Sequence, residues 1–430
     1  MGSRKIHTYA ANFGEDLARD LIISNTSEKD IILDPFTGSS TTLIQARALG
    51  RSAIGIDIDP IACLIAEVVT DNYTIEELNS LLNNVIARKR DIEIIAKNIL
   101  SRKGALKKDS RVMVNDDVIL FPRNKEIEYW FSPAQISVLA SLTKLSSEIK
   151  DEKYKRIIDL SISSSIIHKW PNTISLAKDI DHSRPHRVTR RNITIKSQLN
   201  IFMSNYKNVM RNLIYINKKA NSPDTFLKVL RGDACNNLKS LEENSIDYVL
   251  TSPPYFDAID YPRAHKFSEW WIWQSQEQVR SEKYIGLKAG GKEKGNPCIG
   301  LVTDLIPNNI ESIQPLEKIS GPLFRKLCLY IYDMNQVIYN LNRVMKREAT
   351  LSLVIANNVV RNVKVPVVDI IIELLNKNGF ENIKYEERKI QENRRRYPYG
   401  IKGFNGLMNV EYIINCQKII TNVIENQRVE

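Results

Sequence analysis

The stretch from Asp30 to Pro60, "DIILDPFTGSSTTLIQARALGRSAIGIDIDP", limits what this chain can fold into more than any other. It reads as a short apolar strand ending at Asp34, a turn of small residues, a helix stopping at Gly50, and a second apolar strand ending at Asp57. A strand–helix–strand unit makes its two strands parallel. Parallel sheets are covered on both faces, so a layered α/β architecture follows. Two later stretches continue the pattern. "TFLKVLRGDACNNLKSLEENSIDYVLTSPPY" ends one strand at Gly232 and Asp233 and runs another from Ile246 to Thr251. "ATLSLVIANNVVRN" is a buried-type strand, followed by a helix from Val367 to Asn376, the helix stop "NKNGF" and a closing pair of strands.

Two regions interrupt the pattern. The first has helical periodicity, with loops near Pro122, Pro133 and Pro171. The second is loop-rich around "GLKAGGKEKGNP". The chain therefore divides into residues 1–70, a first part of the α/β domain; 71–222, a mainly helical insertion; 223–255, a second part; 256–329, a loop-rich insertion; and 330–430, the final part. Lys and Arg number 61 against 50 Asp and Glu, and this net charge of +11 suits a polyanionic partner such as nucleic acid. Cys63, Cys235, Cys298, Cys328 and Cys416 are scattered with no CxxC pair, which argues against a zinc site and a disulfide framework. "MGSRKIHTYA" has no apolar core of a signal peptide, and no window approaches the ~20 apolar residues of a membrane helix. A soluble cytoplasmic protein is expected.

"DPFTGSSTT" ends a strand and opens a helix, where small residues let backbone amides approach a ligand. In open parallel sheets ligands sit at the carboxyl ends of strands. No GK[ST] follows, so this is not a triphosphate loop, and it is not GxGxxG. Asp57 ends the next strand, where a carboxylate can hold both hydroxyls of a ribose. Asp34 and Asp233 stand at strand ends as well.

These residues resemble motif I of the amino-methyltransferases of DNA, which has the form DPFxGSGTT. "GRSAIGIDIDPIA" is similar to their motif II, and "HTYAANFGEDLARDLI" to their motif X, HxYxAxF followed by an apolar helix. The resemblance implies a Rossmann-like methyltransferase fold: a mostly parallel seven-stranded sheet with helices on both faces. It also implies S-adenosylmethionine as cofactor. Asp34 and Phe36, Thr37, Gly38 and Ser39 would cradle its methionine part, with Pro35 in the same turn. Asp57, with Ile58 beside it, would hold the ribose, and Asp233 with Ala234 the adenine edge. His7, Tyr9 and Phe13 would line the pocket. Ser40 stands where the family has a second glycine, an exchange that a helical backbone would tolerate. Asn12 stands where a lysine is frequent.

Ser252-Pro253-Pro254-Tyr255 is similar to the family's motif IV, [DNS]PPY. The chemistry explains the pattern. An exocyclic amino group is a poor nucleophile because its lone pair spreads into the ring. Two acceptors on its N–H bonds localise that lone pair. The Ser252 hydroxyl oxygen is one acceptor and the Pro253 carbonyl the other, its direction fixed by the proline rings. Tyr255 offers a stacking face. A base in duplex must be flipped out to reach such a site. Serine here favours N4 of cytosine, since the N6-adenine members more often carry Asp or Asn. C5-cytosine chemistry needs a cysteine nucleophile in a PCQ-type motif, and Pro297-Cys298 has no matching context.

Basic residues suited to phosphate contact lie at Arg184, Arg187, Arg190 and Arg191, at Arg394, Arg395 and Arg396, and at Arg263, His265 and Lys266 just after motif IV. A solvated surface run is the competing reading for the first group, and core packing of Tyr397 and Tyr399 for the second. Trp270, Trp271 and Trp273 read as a helix packing onto the core. Both insertions are candidates for sequence recognition. The expected activity is site-specific methylation of double-stranded DNA in a restriction-modification or phage-defence system, with a cognate endonuclease or defence partner. An N6-adenine enzyme, an RNA base methyltransferase and a binding protein with an inactive methyltransferase fold are the alternatives.

Overall fold

The computed structural model describes residues 5–9, 13–102, 111–114, 117–122, 126–168, 171–177, 193–220, 225–257, 260–273, 284–285, 298–389 and 410–419. The chain opens with α1 (Glu15–Asn25), β1 (Ile31–Asp34), α2 (Thr41–Ala48), β2 (Ser52–Asp57) and α3 (Pro60–Thr70). Next come α4 (Ile75–Ala87), α5 (Lys89–Ser101), the hairpin β3 (Arg111–Val114) and β4 (Asp117–Leu120), α6 (Ile127–Trp130), α7 (Pro133–Ser147), α8 (Glu152–Ile166) and α9 (Ile195–Lys219). The sheet resumes with β5 (Leu227–Arg231), α10 (Ala234–Ser240) and β6 (Ile246–Thr251). Four helices follow: α11 (Tyr261–Ile272), α12 (Cys298–Thr303), α13 (Ile310–Ile319) and α14 (Gly321–Val344). The last elements are β7 (Met345–Ile355), β8 (Asn358–Val360), β9 (Val363–Val365), α15 (Val367–Lys377), β10 (Phe380–Lys389) and β11 (Val410–Lys418).

Seven strands form one sheet in the order β10-β11-β7-β6-β1-β2-β5. β5, β2, β1, β6 and β7 are parallel, and β11 runs antiparallel to both neighbours. This is the expected α/β architecture. Strand residues alternate between two apolar layers. Leu33, Ile54, Val249, Leu353 and Ile414 pack under α10, α14 and α15. Ile32, Ala53, Tyr248, Leu250 and Val354 pack under α1 and α2. The period of two therefore gives helices on both faces, as continuous apolar strands require. Across the sheet's centre the Tyr248 hydroxyl donates to Ser352 Oγ at 2.8 Å, and Ser352 donates to Asn415 Oδ1 at 2.6 Å, which satisfies buried polar groups on three adjacent strands.

Between β2 and β5, helices α4 to α9 form a third apolar cluster with α3. Their starts follow local chemistry. Thr74 with Glu77, Ser132 with Gln135 and Thr194 with Ser197 make reciprocal caps, and Pro133 sits in the first turn of α7. The β3–β4 hairpin adds strand to a region with a helical sequence pattern. Residues 256–329 depart from the loop-rich expectation, since α11, α12 and α13 lie there and α14 begins there. For α11 the reason is spacing. Phe267 and Trp271, four apart, both enter the third cluster at 0% and 1% exposed, and each such burial contributes roughly 2 kcal/mol.

The turn after β1 differs from the sequence expectation at Ser40. Its backbone is left-handed, φ 64° and ψ 26°, rather than helical. Its hydroxyl is buried with no hydrogen-bond partner among the described residues. Both features cost free energy for a serine and neither does for glycine. Ser40→Gly is expected to raise stability by about 1 kcal/mol, the relief of strain and desolvation outweighing the added freedom of the unfolded chain. Chemical denaturation of both proteins measures it, and a less stable variant contradicts the account.

Candidate active site

The carboxyl ends of β1, β2, β5 and β6 lie along one edge, because parallel registers bring Asp34 beside Gly55, Asp57 beside Arg231 and Leu33 beside Val249. Asp34 is 2% exposed. Its Oδ1 accepts from Thr251 Oγ1 at 2.6 Å and from the Phe36 amide at 3.1 Å. The chain then turns at Gly38, with φ +49°. A Cβ there would stand 3.2 Å from Tyr9 Cε1, so the glycine permits both the turn and the close tyrosine.

The turned backbone aims the Gly38 amide at Asp57 Oδ2, 2.8 Å away. Asp57 Oδ1 accepts from the Asp59 amide at 2.9 Å. Each oxygen keeps a lone pair, so the carboxylate can still accept from a diol. Burial first and the neighbouring Asp59 charge second push Asp57 up to about 7. Asp59 caps α3 through bonds from the Ile61 and Ala62 amides at 2.8 and 3.2 Å. Just past β5, Asp233 caps α10 by accepting from the Asn236 amide at 3.1 Å, and Ala234 beside it is buried.

His7, Tyr9 and Phe13 are all buried near this edge. His7 Nε2 lies 2.9 Å from Ser163 Oγ, which donates to Ser268 Oγ at 3.0 Å. Burial and the charges of His265 and His168 lower His7 to about 3, so it is neutral at working pH. Tyr9 stacks on Tyr261 at 5.8 Å and meets the His265 ring at 5.1 Å.

At the end of β6, Pro253 is buried while Ser252, Pro254 and Tyr255 are half-buried. Burial pushes Tyr255 up to about 12, so its phenol stays protonated; a Ser252 hydrogen bond to it opposes this shift. A Ser252 hydroxyl that donates there leaves its oxygen lone pairs for an incoming donor. Behind the motif, Asn358 Nδ2 donates to the Phe256 carbonyl, Phe256 packs on Tyr330 at 5.8 Å, and Lys326 pairs with Asp257 at 2.6 Å.

The basic residues separate. Arg263 is exposed and lies near Asp260 at 3.8 Å. Lys266 lies over the rings of Trp130 and Phe267, 4.9 Å from each centroid. His265 corrects the expectation of a phosphate contact. It is 1% exposed, and its Nδ1 meets Asp59 Oδ2 at 2.6 Å, so its ring faces the interior. Trp271 is in the core, while Trp273, just past the helix, is 41% exposed. Arg184, Arg187, Arg190, Arg191, Arg394, Arg395, Arg396 and Asn12 lie outside the described residues. Asp59 and Thr251 are site residues that sequence reasoning passed over. Asp59 carried a signal, an acid directly before a proline at a helix start; Thr251 carried none.

Burial pushes Asp34 up to about 6 against the bonds it accepts from Thr251, Thr42 and the Phe36 amide. A folded-state value above the unfolded one means that ionised Asp34 lowers stability, an effect absent below about pH 4 and complete above about pH 6. Asp34→Asn keeps an acceptor for Thr251 and Phe36, since both donate to Oδ1. The variant's stability relative to wild type is expected to improve by about 3 kcal/mol from about pH 4 to about pH 7. Urea unfolding at each pH measures the difference; a constant difference means Asp34 does not titrate in that window.

Comparison with known proteins agrees with this edge. The family model for N6 and N4 methyltransferases, described as DNA methylase, matches residues 2–68, which hold Asp34, Gly38 and Asp57. The Type II methyltransferase M.MvaI of Kocuria varians is 22% identical over 409 residues, covering 91% of this chain and 85% of that protein. M.MjaII of Methanocaldococcus jannaschii is 25% identical over 328 residues, 61% of each chain. M.BsoBI of Geobacillus stearothermophilus is 25% identical over 294 residues, 66% of this chain and 56% of that one. Over the sheet edge and its turn the chain is thus similar to the N6 and N4 DNA methylases, and over longer stretches to these Type II methyltransferases.

Proposed function

We propose that this chain transfers a methyl group from S-adenosylmethionine to the exocyclic amino group of a base flipped out of duplex DNA, with N4 of cytosine favoured over N6 of adenine. The observation that carries the reading is the placement of Ser252-Pro253-Pro254-Tyr255 directly after Thr251, whose hydroxyl bonds Asp34 at 2.6 Å. One side chain thus joins the start of the amino-acceptor motif to the carboxylate edge.

The residues fit the cofactor. The Gly38 turn has no Cβ beside Tyr9, and Asp57 keeps lone pairs for a ribose diol. Asp34 and the turn residues Pro35 to Ser39 would hold the methionine part, Asp57 with Ile58 the ribose, and Asp233 with Ala234 the adenine, while His7, Tyr9 and Phe13 close the pocket. When bound, S-adenosylmethionine supplies an electrophilic methyl on a cationic sulfur. Ser252 Oγ and the Pro253 carbonyl accept the two amino N–H bonds of the base and localise its lone pair. Tyr255 stacks on the ring. The amino nitrogen would take the methyl that the cofactor supplies, the sulfur keeping the bonding pair, and the product cation would lose its proton to water.

The net charge of +11 supports a DNA partner, and Arg263 and Lys266 sit on the helix leaving the motif. The relatives' names are those of Type II methyltransferases. This supports a place in a restriction-modification system with a cognate endonuclease. Among the described residues no helix is long and apolar enough to cross a membrane. Digesting the DNA of an expressing host to nucleosides and examining it by mass spectrometry tests the reading. N4-methylcytosine is expected, N6-methyladenine would move the target to adenine, and neither would overturn the proposal. Ser252→Ala and Tyr255→Ala are expected to bind cofactor within about twofold of wild type and to lose at least ~100-fold in transfer rate. Wild-type rates in both would remove this motif from the chemistry.

A further inference from the structure

We infer that His265 is a positioning residue for the cofactor edge, linking the helix that leaves the Ser252–Tyr255 motif to the carboxylate that holds the ribose. The inference rests on the cofactor reading above. Two arms run from this one side chain to the same turn. In the first, His265 Nδ1 meets Asp59 Oδ2 at 2.6 Å. The Asp59 amide bonds Asp57 Oδ1 at 2.9 Å, and Asp57 Oδ2 bonds the Gly38 amide at 2.8 Å. In the second, the His265 ring lies 5.1 Å from that of Tyr9, and Tyr9 Cε1 stands 3.2 Å from where a Cβ on Gly38 would be.

His265 and Asp59 are each 1% exposed. A polar pair buried this deeply is seldom more stabilising than apolar packing of equal volume, so packing alone does not account for it. What the pair adds is direction. Asp59 Oδ1 is committed to capping α3, so only Oδ2 can receive α11, and it does so through a single ring nitrogen. A shift of α11 therefore moves the β2–α3 turn and the orientation of Asp57. Three hydrogen bonds thus connect His265 to Gly38, the first of them spanning 206 residues of sequence.

Two variants separate this role from packing. His265→Asn keeps a donor for Asp59 with less volume, whereas His265→Leu keeps volume with no donor. Calorimetric titration with S-adenosylmethionine is expected to give Kd within about threefold of wild type for the Asn variant and about tenfold weaker for the Leu variant. Equal values, or tighter binding by Leu than by Asn, overturn the inference in favour of packing. If the Leu variant does not fold, Asp59→Ser replaces it, since serine still caps α3 but offers nothing to His265. The same tenfold loss is expected, and unchanged binding overturns the inference. No binding by the wild-type chain would instead overturn the cofactor reading, and this inference with it.

Discussion

The hydrogen bond from the Gly38 amide to Asp57 is the contact on which the site depends. It fastens the turn after β1 to the end of β2, and the Thr37 amide reinforces it by bonding the Ile56 carbonyl at 3.0 Å. To make it, the chain adopts left-handed backbone at Gly38 and again at Ser40 before α2 begins. The first is free for glycine and the second is a cost carried by serine. Local strain accepted at a strand end is intelligible where it directs an amide onto a buried carboxylate. Asp34, Asp57 and the start of α2 converge because this turn is tight.

The rest of the fold holds that turn still. Strand side chains alternate between two helical layers, so neither face of the sheet can slide without opening a core. The third apolar cluster extends the same constraint outward. α3 leaves Asp59 and packs against α8, and Phe267 and Trp271 bring α11 into the same cluster. The helix following Ser252–Tyr255 and the helix following Asp57 are therefore packed in one core. The Asp59–His265 pair is the polar contact inside that arrangement.

Much of this was legible in the sequence. Apolar runs that stop at Asp34, Asp57, Asp233 and Ser252 mark strand ends, and those are the residues the sheet brings to one edge. Their signals are local: a strand, a small-residue turn, a helix start. Three features were illegible for physical reasons. The Ser40 backbone is set by the need to aim Gly38, not by its own preference. His265 sits in a basic, aromatic stretch whose composition suits a surface, and only the amphipathic phase of α11 turns it inward. Its partner Asp59 is 206 residues away, beyond any local pattern. The Thr251 bond to Asp34 spans 217 residues and is hidden in the same way.

The carboxylates at this edge work against the fold. Asp34 and Asp57 are both buried and pushed up, to about 6 and about 7, and Asp59 raises Asp57 further by its charge. Buried like charges are costly unless something positive or strongly donating meets them. Inside the chain the donors are backbone amides, Thr251 and Thr42, which offset the cost only in part, since both groups stay above the ordinary carboxylate range. A ligand that brought a positive centre and hydroxyl donors would relieve the remainder. The arrangement therefore costs the free chain stability at neutral pH. A neutral edge of the same shape, with asparagine for aspartate, would fold more easily at neutral pH and hold such a ligand less well.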